Sequence, residues 1–98
     1  MTWTIAYTRR TLSDLDDAFE GYEERTPGLG DRFVRHFRNA IALIETNPYL
    51  FGEVKRGVRA ATIKRFPFLI YYRVETGRVV LLAVRHGRDD PKIWKGRV

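Results

Sequence analysis

The sequence predicts an α+β fold in which a helical hairpin packs on a mainly antiparallel sheet. Two segments with helical periodicity follow one short strand and precede three strand-like stretches, in the order β-α-α-β-β-β. The two strongest strand patterns, residues 66–74 and 79–86, are rich in β-branched and aromatic residues, and Thr76-Gly77 supplies a two-residue turn between them. No linker or repeat divides the chain, so residues 1–98 are interpreted as one domain with a modest core.

The first strand and the first helix are predicted from two different periods. Residues 3–8 alternate large and small side chains, which indicates a short strand. A helix follows, with Thr11 or Ser13 as its cap and Asp14 or Asp16 three residues later. Its apolar stripe consists of Leu12, Leu15, Ala18, Phe19 and Tyr22. Its other side carries the carboxylates Asp14, Asp16, Asp17, Glu20, Glu23 and Glu24, interpreted as a solvated face rather than as catalytic acids.

A second helix is predicted to begin at Asp31, after the helix-breaking segment of residues 26–30, and to end at Asn47-Pro48. Its stripe consists of Phe33, Val34, Phe37, Ala40, Ile41 and Ile44, and its outer face carries Arg32, Arg35 and Arg38. Because one helix is acidic and the other basic, the flanks of the hairpin are expected to attract each other. His36 lies beside the stripe and is interpreted as a packed or solvated side chain.

Short segments flank the predicted β-hairpin of residues 66–86 on both sides. Residues 49–52 are expected to cover the open end of the core, and residues 53–57 to form a loop. Residues 58–65 are the third strand candidate, which Pro67 limits. Near the end of the chain, Ile93 and Trp94 are expected to tie the tail to the body.

The β-hairpin formed by residues 66–74 and 79–86 is predicted to be apolar on both faces. If Val74 faces Val79 across the turn, one face consists of Phe68, Ile70, Tyr72, Val74, Val79, Leu81, Ala83 and Arg85. The other consists of Leu69, Tyr71, Arg73, Val80, Leu82, Val84 and His86, which makes Tyr71 the tyrosine that shares a face with His86. Such a sheet must be covered twice, and the remaining chain is expected to cover it once. A bulge would exchange some of these positions, because the side-chain period is two.

The charge is divided unequally along the chain. Residues 1–54 hold six Lys/Arg and nine Asp/Glu, a net charge of −3, whereas residues 55–98 hold twelve and three, a net charge of +9. The basic character therefore belongs to the sheet and the tail, and it favours nucleic acid or an acidic protein as a partner.

The composition also excludes several classes of site. Without cysteine the chain has no disulfide, no thiolate nucleophile and no cysteine zinc site, and its two histidines lack metal-binding spacing. The scattered glycines form no phosphate-binding loop. We therefore expect no metal and no cofactor. There is no signal-peptide pattern and no apolar run of about 20 residues, so a soluble, cytoplasmic protein without a membrane segment is expected.

Several short motifs, taken in order, resemble the RelE/ParE superfamily of type II toxin–antitoxin toxins, and most of all its ParE-like members, the plasmid stabilisation proteins. The motifs are the Pro-Gly-Leu-Gly-Asp-Arg-Phe run of residues 27–33, Asn47-Pro48, Val58-Arg59, residues 66–73, Arg85-His86, residues 88–91, Trp94 and Arg97. The likeness covers nearly the whole chain.

The resemblance implies a bacterial toxin that causes growth arrest and is held inactive by a cognate antitoxin. ParE-like members inhibit DNA gyrase and are not known for a chemistry of their own. The apolar second face is the expected antitoxin-binding surface, through Leu69, Tyr71, Val80, Leu82 and Val84. A homo-oligomer and a heterotetramer with the antitoxin are both compatible with the resemblance.

Two alternatives remain open on the sequence. A RelE-like member would cut mRNA on the ribosome, with His86 and Arg85 as catalytic candidates. Nuclease members commonly carry an arginine where this chain has Phe68, and a phenylalanine does not stabilise a phosphorane. The expected surface for a protein target or nucleic acid consists of Arg59, Lys64, Arg65, Arg73, Arg85 and Arg88, whose simpler interpretation is a solvated basic rim. For His86 the simpler interpretation is a bond to the tail near Asp89 or Asp90. The second alternative is a basic interaction module without toxicity.

Overall fold

A computed structural model describes residues 2–98, and it confirms the predicted α+β fold. The elements are β1 (Thr4–Tyr7), α1 (Arg9–Arg25), α2 (Leu29–Thr46), β2 (Glu53–Lys55), β3 (Val58–Thr62), β4 (Phe68–Glu75), β5 (Arg78–His86) and α3 (Lys92–Lys95). The strands form one sheet in the order β1-β5-β4-β3-β2, in which β1 runs parallel to β5 and the other neighbours are antiparallel. The predicted loop over residues 53–57 was partly wrong, because β2 lies within it.

The first helix begins earlier than predicted. Thr8, and not Thr11 or Ser13, is the N-cap of α1, and its hydroxyl accepts a hydrogen bond from the Thr11 N–H at 3.3 Å. Thr11 is instead fully buried, and its hydroxyl donates to the carbonyl of Leu81 at 3.0 Å. The polar residue that resembled a cap therefore ties α1 to β5, the strand between β1 and β4.

The second helix also begins earlier, at Leu29, and its cap comes from the preceding helix. Gly28 occupies the N-cap position with a left-handed φ of 89° and has no side chain to offer. The carboxylate of Glu23 accepts hydrogen bonds from the N–H groups of Gly28 and Gly30, at 2.9 and 3.0 Å. Glu23 is thus not part of a purely solvated face, because it fixes the turn of the helical hairpin.

The predicted turn of the β4–β5 hairpin is confirmed, but a bulge follows it. Val74 pairs with Val79, and Gly77 adopts a φ of 74°. Further along, Tyr72 pairs with Leu81 whereas Tyr71 pairs with Ala83, so Leu82 is an extra residue on β5.

Beyond the bulge the two faces of β5 are exchanged. Val84 pairs with Ile70 and His86 with Phe68, on the side of the sheet that the helices cover. The predicted faces of Ala83, Val84, Arg85 and His86 were therefore wrong, because one inserted residue reverses every later side chain. Tyr71 does not share a face with His86.

The helix-covered face holds the main core. Its largest fully buried side chains include Tyr72, Phe33, Ile44, Ile63, Ile70 and Leu81. The hydroxyl of Tyr72 donates to the carbonyl of Pro48 at 2.7 Å. Residues 49–52 cover the end of the core only in part, because Phe51 packs against it while Tyr49 and Leu50 are 56% and 58% exposed. Burial raises the pKa of Tyr72 to about 12, so its hydroxyl stays protonated.

The opposite face is covered by the tail. Its cluster consists of Val58, Tyr71, Val80, Leu82, Ala83 and Trp94. The rings of Tyr71 and Trp94 stack with centroids 4.5 Å apart, which confirms Trp94 as the tie between tail and sheet. The expectation that the chain would cover its sheet only once was wrong, because α3 shields this face.

A buried carboxylate holds the tail in place. Asp14 is 5% exposed, so its assignment to a solvated helix face was wrong. It receives hydrogen bonds from Arg97 Nη1 at 2.6 Å and from the Val84 N–H at 3.0 Å, and Arg85 Nη1 lies 3.3 Å from it. Arg97 also donates to the carbonyl of Leu82. This cluster, the Asp14 clamp, joins α1, β5 and the end of the tail.

The acidic flank of α1 and the basic flank of α2 were expected to attract each other, but they form no direct ion pair within residues 2–98. The salt bridges within residues 2–98 use the carboxylates of Glu53, Glu75, Asp14 and Asp89. None joins α1 to α2. The hairpin is held by its apolar stripes and by Glu23 instead.

Candidate functional site

A groove lies where the β3–β4 connection meets the end of β5. Two cavities of about 510 and 490 Å³ adjoin there and share the lining residues Phe66, Pro67, Phe68, His86 and Arg88. The first cavity extends to Asp17, Ala18, Gly21, Tyr22 and Arg25 of α1 and to Arg65. The second extends to Thr62, Leu69 and Gly87. We refer to the two together as the basic groove.

The wall of the groove contains a residue in a rare backbone conformation. Arg65 is the only non-glycine residue among residues 2–98 with a positive φ, at 71°. The turn around it is fixed by hydrogen bonds from the Phe66 N–H to the Ile63 carbonyl and from the Ile63 N–H to the Phe68 carbonyl, both at 3.1 Å. The Gly87 N–H donates to the Pro67 carbonyl at 2.8 Å and holds this loop against the end of β5. Such conformations cost about 1–3 kcal/mol and concentrate at functional sites.

Phe68 occupies the centre of the groove and anchors it to the core. Its ring lies 5.3 Å from that of Phe33, 5.9 Å from that of Tyr22 and 5.5 Å from that of His86, measured between centroids. The position at which the nuclease members of the superfamily commonly carry an arginine is therefore part of an aromatic cluster. It offers no donor to a phosphate.

The ring of His86 is held in one tautomer by its own loop. Its Nδ1 accepts a hydrogen bond from the Arg88 N–H at 3.0 Å, so the neutral ring carries its proton on Nε2. Asp89 accepts from the main-chain N–H of His86, at 3.1 Å, and not from its ring. A neutral ring in this state has no free lone pair with which to accept a proton from a nucleophile.

The basic residues selected from the sequence separate into two groups. Arg59 pairs with Glu53 and donates to the Phe51 carbonyl, and Arg73 pairs with Glu75. These two lie away from the groove, since neither lines its cavities.

Arg85, like Arg59 and Arg73, lies away from the groove. Its Nε lies 2.9 Å from Asp89 and its Nη1 3.3 Å from Asp14, so its guanidinium is committed to the clamp on the tail-covered side. As neighbours on one strand, Arg85 and His86 point to opposite faces and do not form a joint site.

The structure brings Arg65 and Arg88 together with His86, and it adds Arg25. Lys64 is exposed in the same loop but lines neither cavity. Arg25 was missed because only the packing of α1 against the β3–β4 loop places it there. Burial raises the pKa of Tyr22, and Arg25 opposes that shift.

The five residues predicted to bind an antitoxin lie in three different environments. Leu69 is half-buried, lines the second cavity and packs against the edge of the tail-covered cluster, in which Tyr71, Val80 and Leu82 are buried. Val84 lies in the helix-covered core, 1% exposed, so its place on the same surface was wrong.

Residues 2–98 contain no cluster of metal-binding side chains and no helix suited to span a membrane. No group of three or more His, Cys, Asp or Glu side chains is placed to hold a metal ion there. Of the helices in that part of the chain, none combines the length and apolar character that a membrane span requires.

Solved structures of other proteins share this fold. The chain is similar to a chain of the chromosomal ParDE toxin–antitoxin system from P. aeruginosa, with a TM-score of 0.76, 20% identity and coverage of 87% of this chain and 96% of that one. It is also similar to a chain of the toxin–antitoxin complex RelBE2 from Mycobacterium tuberculosis, with a TM-score of 0.63, 22% identity and coverage of 91% and 95%. Two long helices on a five-stranded mixed sheet are thus a fold that this chain shares with both of these chains.

The sequence comparisons then give the family. The chain is 30% identical over 99 residues to Toxin ParE2 of Mycobacterium tuberculosis, in strains CDC 1551 / Oshkosh and ATCC 25618 / H37Rv, which covers 100% of this chain and 94% of that protein. Residues 5–91 match the family described as ParE toxin of the type II toxin–antitoxin system parDE. The chain belongs to this family and is a toxin component of a type II toxin–antitoxin system, as its motifs had predicted.

Proposed function

We propose that this toxin acts by binding DNA gyrase, without a bond-making step of its own, and that a cognate antitoxin neutralises it. The proposal rests on the centre of the basic groove, where Phe68 presents an aromatic ring and His86 is held in one tautomer. Phe68 offers no donor to a phosphate, and Nδ1 of His86 is occupied by the Arg88 N–H.

Cutting RNA by in-line attack requires a base for the 2′-hydroxyl and cations for the phosphorane. Arg85, one of the two catalytic candidates, is held by Asp14 and Asp89 on the other side of the strand. The geometry therefore favours binding over catalysis. Exposed Arg65 and Arg88 are suited to recognising carboxylates on a protein target.

A neutralising partner is supported by charge and by the relatives. Residues 55–98, which supply the β3–β4 loop and the end of β5 to the groove, have a net charge of +9, which favours an acidic segment and rapid association. Two of the similar structures come from ParDE and RelBE2, each a toxin–antitoxin system or complex.

One observation favours the RelE-like alternative. Arg25, Arg65 and Arg88 line a single cavity of about 510 Å³ together with His86, and three arginines in one cavity suit a bound phosphate. The two hypotheses therefore differ in whether a phosphodiester bond breaks.

Two parallel assays separate them. In a supercoiling assay we expect the purified toxin to inhibit gyrase, whereas translating ribosomes should keep their mRNA intact. Arg65→Ala and Arg88→Ala should each weaken gyrase inhibition about tenfold, the value of one charge-assisted hydrogen bond. Arg35→Ala, on the remote face of α2, is the matched control and should leave inhibition unchanged.

Other outcomes have a defined meaning. Ribosome-dependent mRNA cleavage that disappears in His86→Ala would replace the gyrase proposal with the nuclease. Induced expression that leaves growth unaffected would contradict both toxic mechanisms and favour a non-toxic basic interaction module.

A further inference from the structure

Gly21 lies in the interior of α1, where a glycine lowers helix stability. In such a position glycine is less stable than alanine by about 1 kcal/mol. A Cβ on Gly21 would meet no heavy atom within 4 Å. In contrast, a Cβ on Gly30 would lie 2.8 Å from Phe19, where the two helices pack tightly. Internal packing therefore explains the glycine at position 30 but not the one at position 21.

The open space in front of Gly21 is the first cavity of the basic groove. Asp17, Gly21 and Arg25 are spaced by four residues and so follow one another along the same side of α1. Arg65 and Arg88 line the same cavity from the opposing loops. None of these four charged residues forms an ion pair within residues 2–98.

The lining of the cavity combines an apolar floor with charges of both signs. Tyr22, Phe66 and Phe68 are half-buried and present ring surface, while the absent side chain at position 21 allows another chain to approach the helix backbone. A site of this kind fits a polypeptide that inserts one large apolar side chain and presents carboxylates to the arginines.

We propose that the cavity over Gly21 binds an acidic segment of the antitoxin. An apolar side chain of that segment fills the space over Gly21, and its carboxylates pair with Arg65 and Arg88. This inference rests on the antitoxin partnership proposed above. It locates the contact in the basic groove instead of on the tail-covered face, where Tyr71, Val80 and Leu82 are already buried.

The acidic wall argues against nucleic acid as the occupant. Asp17 lines the cavity, and Glu20 and Glu24 are exposed on the same helix nearby. A phosphate chain of uniform charge is repelled by these carboxylates, whereas a polypeptide can present an N–H group or a cation to Asp17 and carboxylates elsewhere.

The test measures binding of the full-length toxin to the purified product of the neighbouring reading frame by calorimetry. Gly21→Leu should weaken binding about tenfold or more, because its side chain fills the cavity. Gly21→Ala is the matched folding control, and it should raise the melting temperature while retaining most of the affinity. Ser13→Leu places the same side chain on α1 outside the cavity and should bind like the wild type. Arg88→Ala should lose about tenfold and Arg35→Ala nothing.

The outcomes separate this inference from the proposed function. If the wild-type toxin does not bind that protein, the antitoxin partnership fails and this inference fails with it. If the wild type binds and both Gly21→Leu and Arg88→Ala bind equally well, only the assignment of the cavity is overturned. A single-stranded oligonucleotide that binds the wild type more tightly than the protein does, and is excluded by Gly21→Leu, would make nucleic acid the occupant and also overturn it.

Discussion

Two consecutive tyrosines show how differently the two faces of this sheet are stabilised. Tyr72 points into the helix-covered face and is fully buried among side chains from both long helices. Tyr71 points the other way and stacks on Trp94 of the one-turn helix α3. Both rings are hidden, but one is hidden by a continuous core and the other by a short segment.

The difference shows that equal burial does not mean equal cooperativity. The helix-covered face distributes its stabilisation over many apolar contacts. The tail-covered face depends on one ring stack and on the Asp14 clamp. Local opening should therefore occur on the tail side at a lower free energy than global unfolding.

The largest expected effect comes from the helix-covered face. Phe33 is fully buried, and its ring contacts those of Tyr22, Phe66 and Phe68. Phe33→Ala should lower the free energy of unfolding by about 3–5 kcal/mol, measured by urea denaturation, because it leaves a cavity in the core. Leu12→Ala is the control, since Leu12 is 49% exposed and should change stability little. A loss below about 1 kcal/mol for Phe33→Ala would mean that this core is not the dominant one.

The Asp14 clamp should give the next largest effect. Asp14→Ala leaves Arg97, whose side chain is 12% exposed, without its carboxylate and the Val84 N–H without an acceptor. We expect a loss of about 3 kcal/mol in unfolding free energy.

The clamp variant should also release the tail before the rest of the molecule. Hydrogen exchange in Asp14→Ala should accelerate most around Trp94 and Leu82, and much less in α2. Asp16→Ala, on the exposed side of the same helix, is the control. Uniform acceleration through the whole chain would contradict the separation of the two faces.

Alkaline pH offers a third test, because the pKa of Tyr72 is raised to about 12. The unfolded tyrosine loses its proton near 10.0, so between that value and about 12 the unfolded state binds fewer protons than the native state. Stability should therefore fall by about 2–3 kcal/mol as the pH rises through this interval.

Tyr72→Phe provides the control for that titration. It should lose about 1 kcal/mol at neutral pH, with the bond to the Pro48 carbonyl, but it should show a smaller alkaline loss than the wild type. Equal alkaline losses in the two proteins would assign the effect to other groups.

The smallest effect is expected at the exposed end of the hairpin. Hydrogen bonds from Arg73 and Arg78 lower the pKa of Glu75 below its usual 4.5. Its contribution is present above that value and is lost as the pH falls through the lower pKa of the folded state. The carboxyl resonance of Glu75, followed by NMR, should titrate below the usual glutamate value of 4.5, and Glu75→Gln should change the melting temperature only slightly.

Periodicity was enough to predict most of the fold. The helical stripes around Phe33 and Ile44 and the turn at Gly77 have clear local signals, and all three are present in the structure. The bulge at Leu82 has no such signal, because residues 79–84 are all apolar and either register satisfies the pattern. That single insertion moved Val84 and His86 to the helix-covered face.

The site was less predictable, because it depends on the packing of segments distant in sequence, and because distant ion pairs remove Arg85 from it. Arg65, Arg88 and His86 were selected from their position in the sequence and do lie together. The sequence does not indicate that Arg85 is held by Asp14, 71 residues away, or that Arg25 approaches the same loop. Asp14 itself resembled an ordinary capping or solvated acid, since its partners lie near the other end of the chain.

The parallel pairing of β1 with β5 has a consequence for biosynthesis. Thr4 lies opposite Arg78 and Tyr7 opposite Leu81, so the first strand made by the ribosome has no partner until the last strand has emerged. Contacts between residues so far apart in sequence form slowly, and the nascent chain exposes its apolar strands in the meantime. A co-translational binder of those strands would therefore meet the toxin before it becomes active.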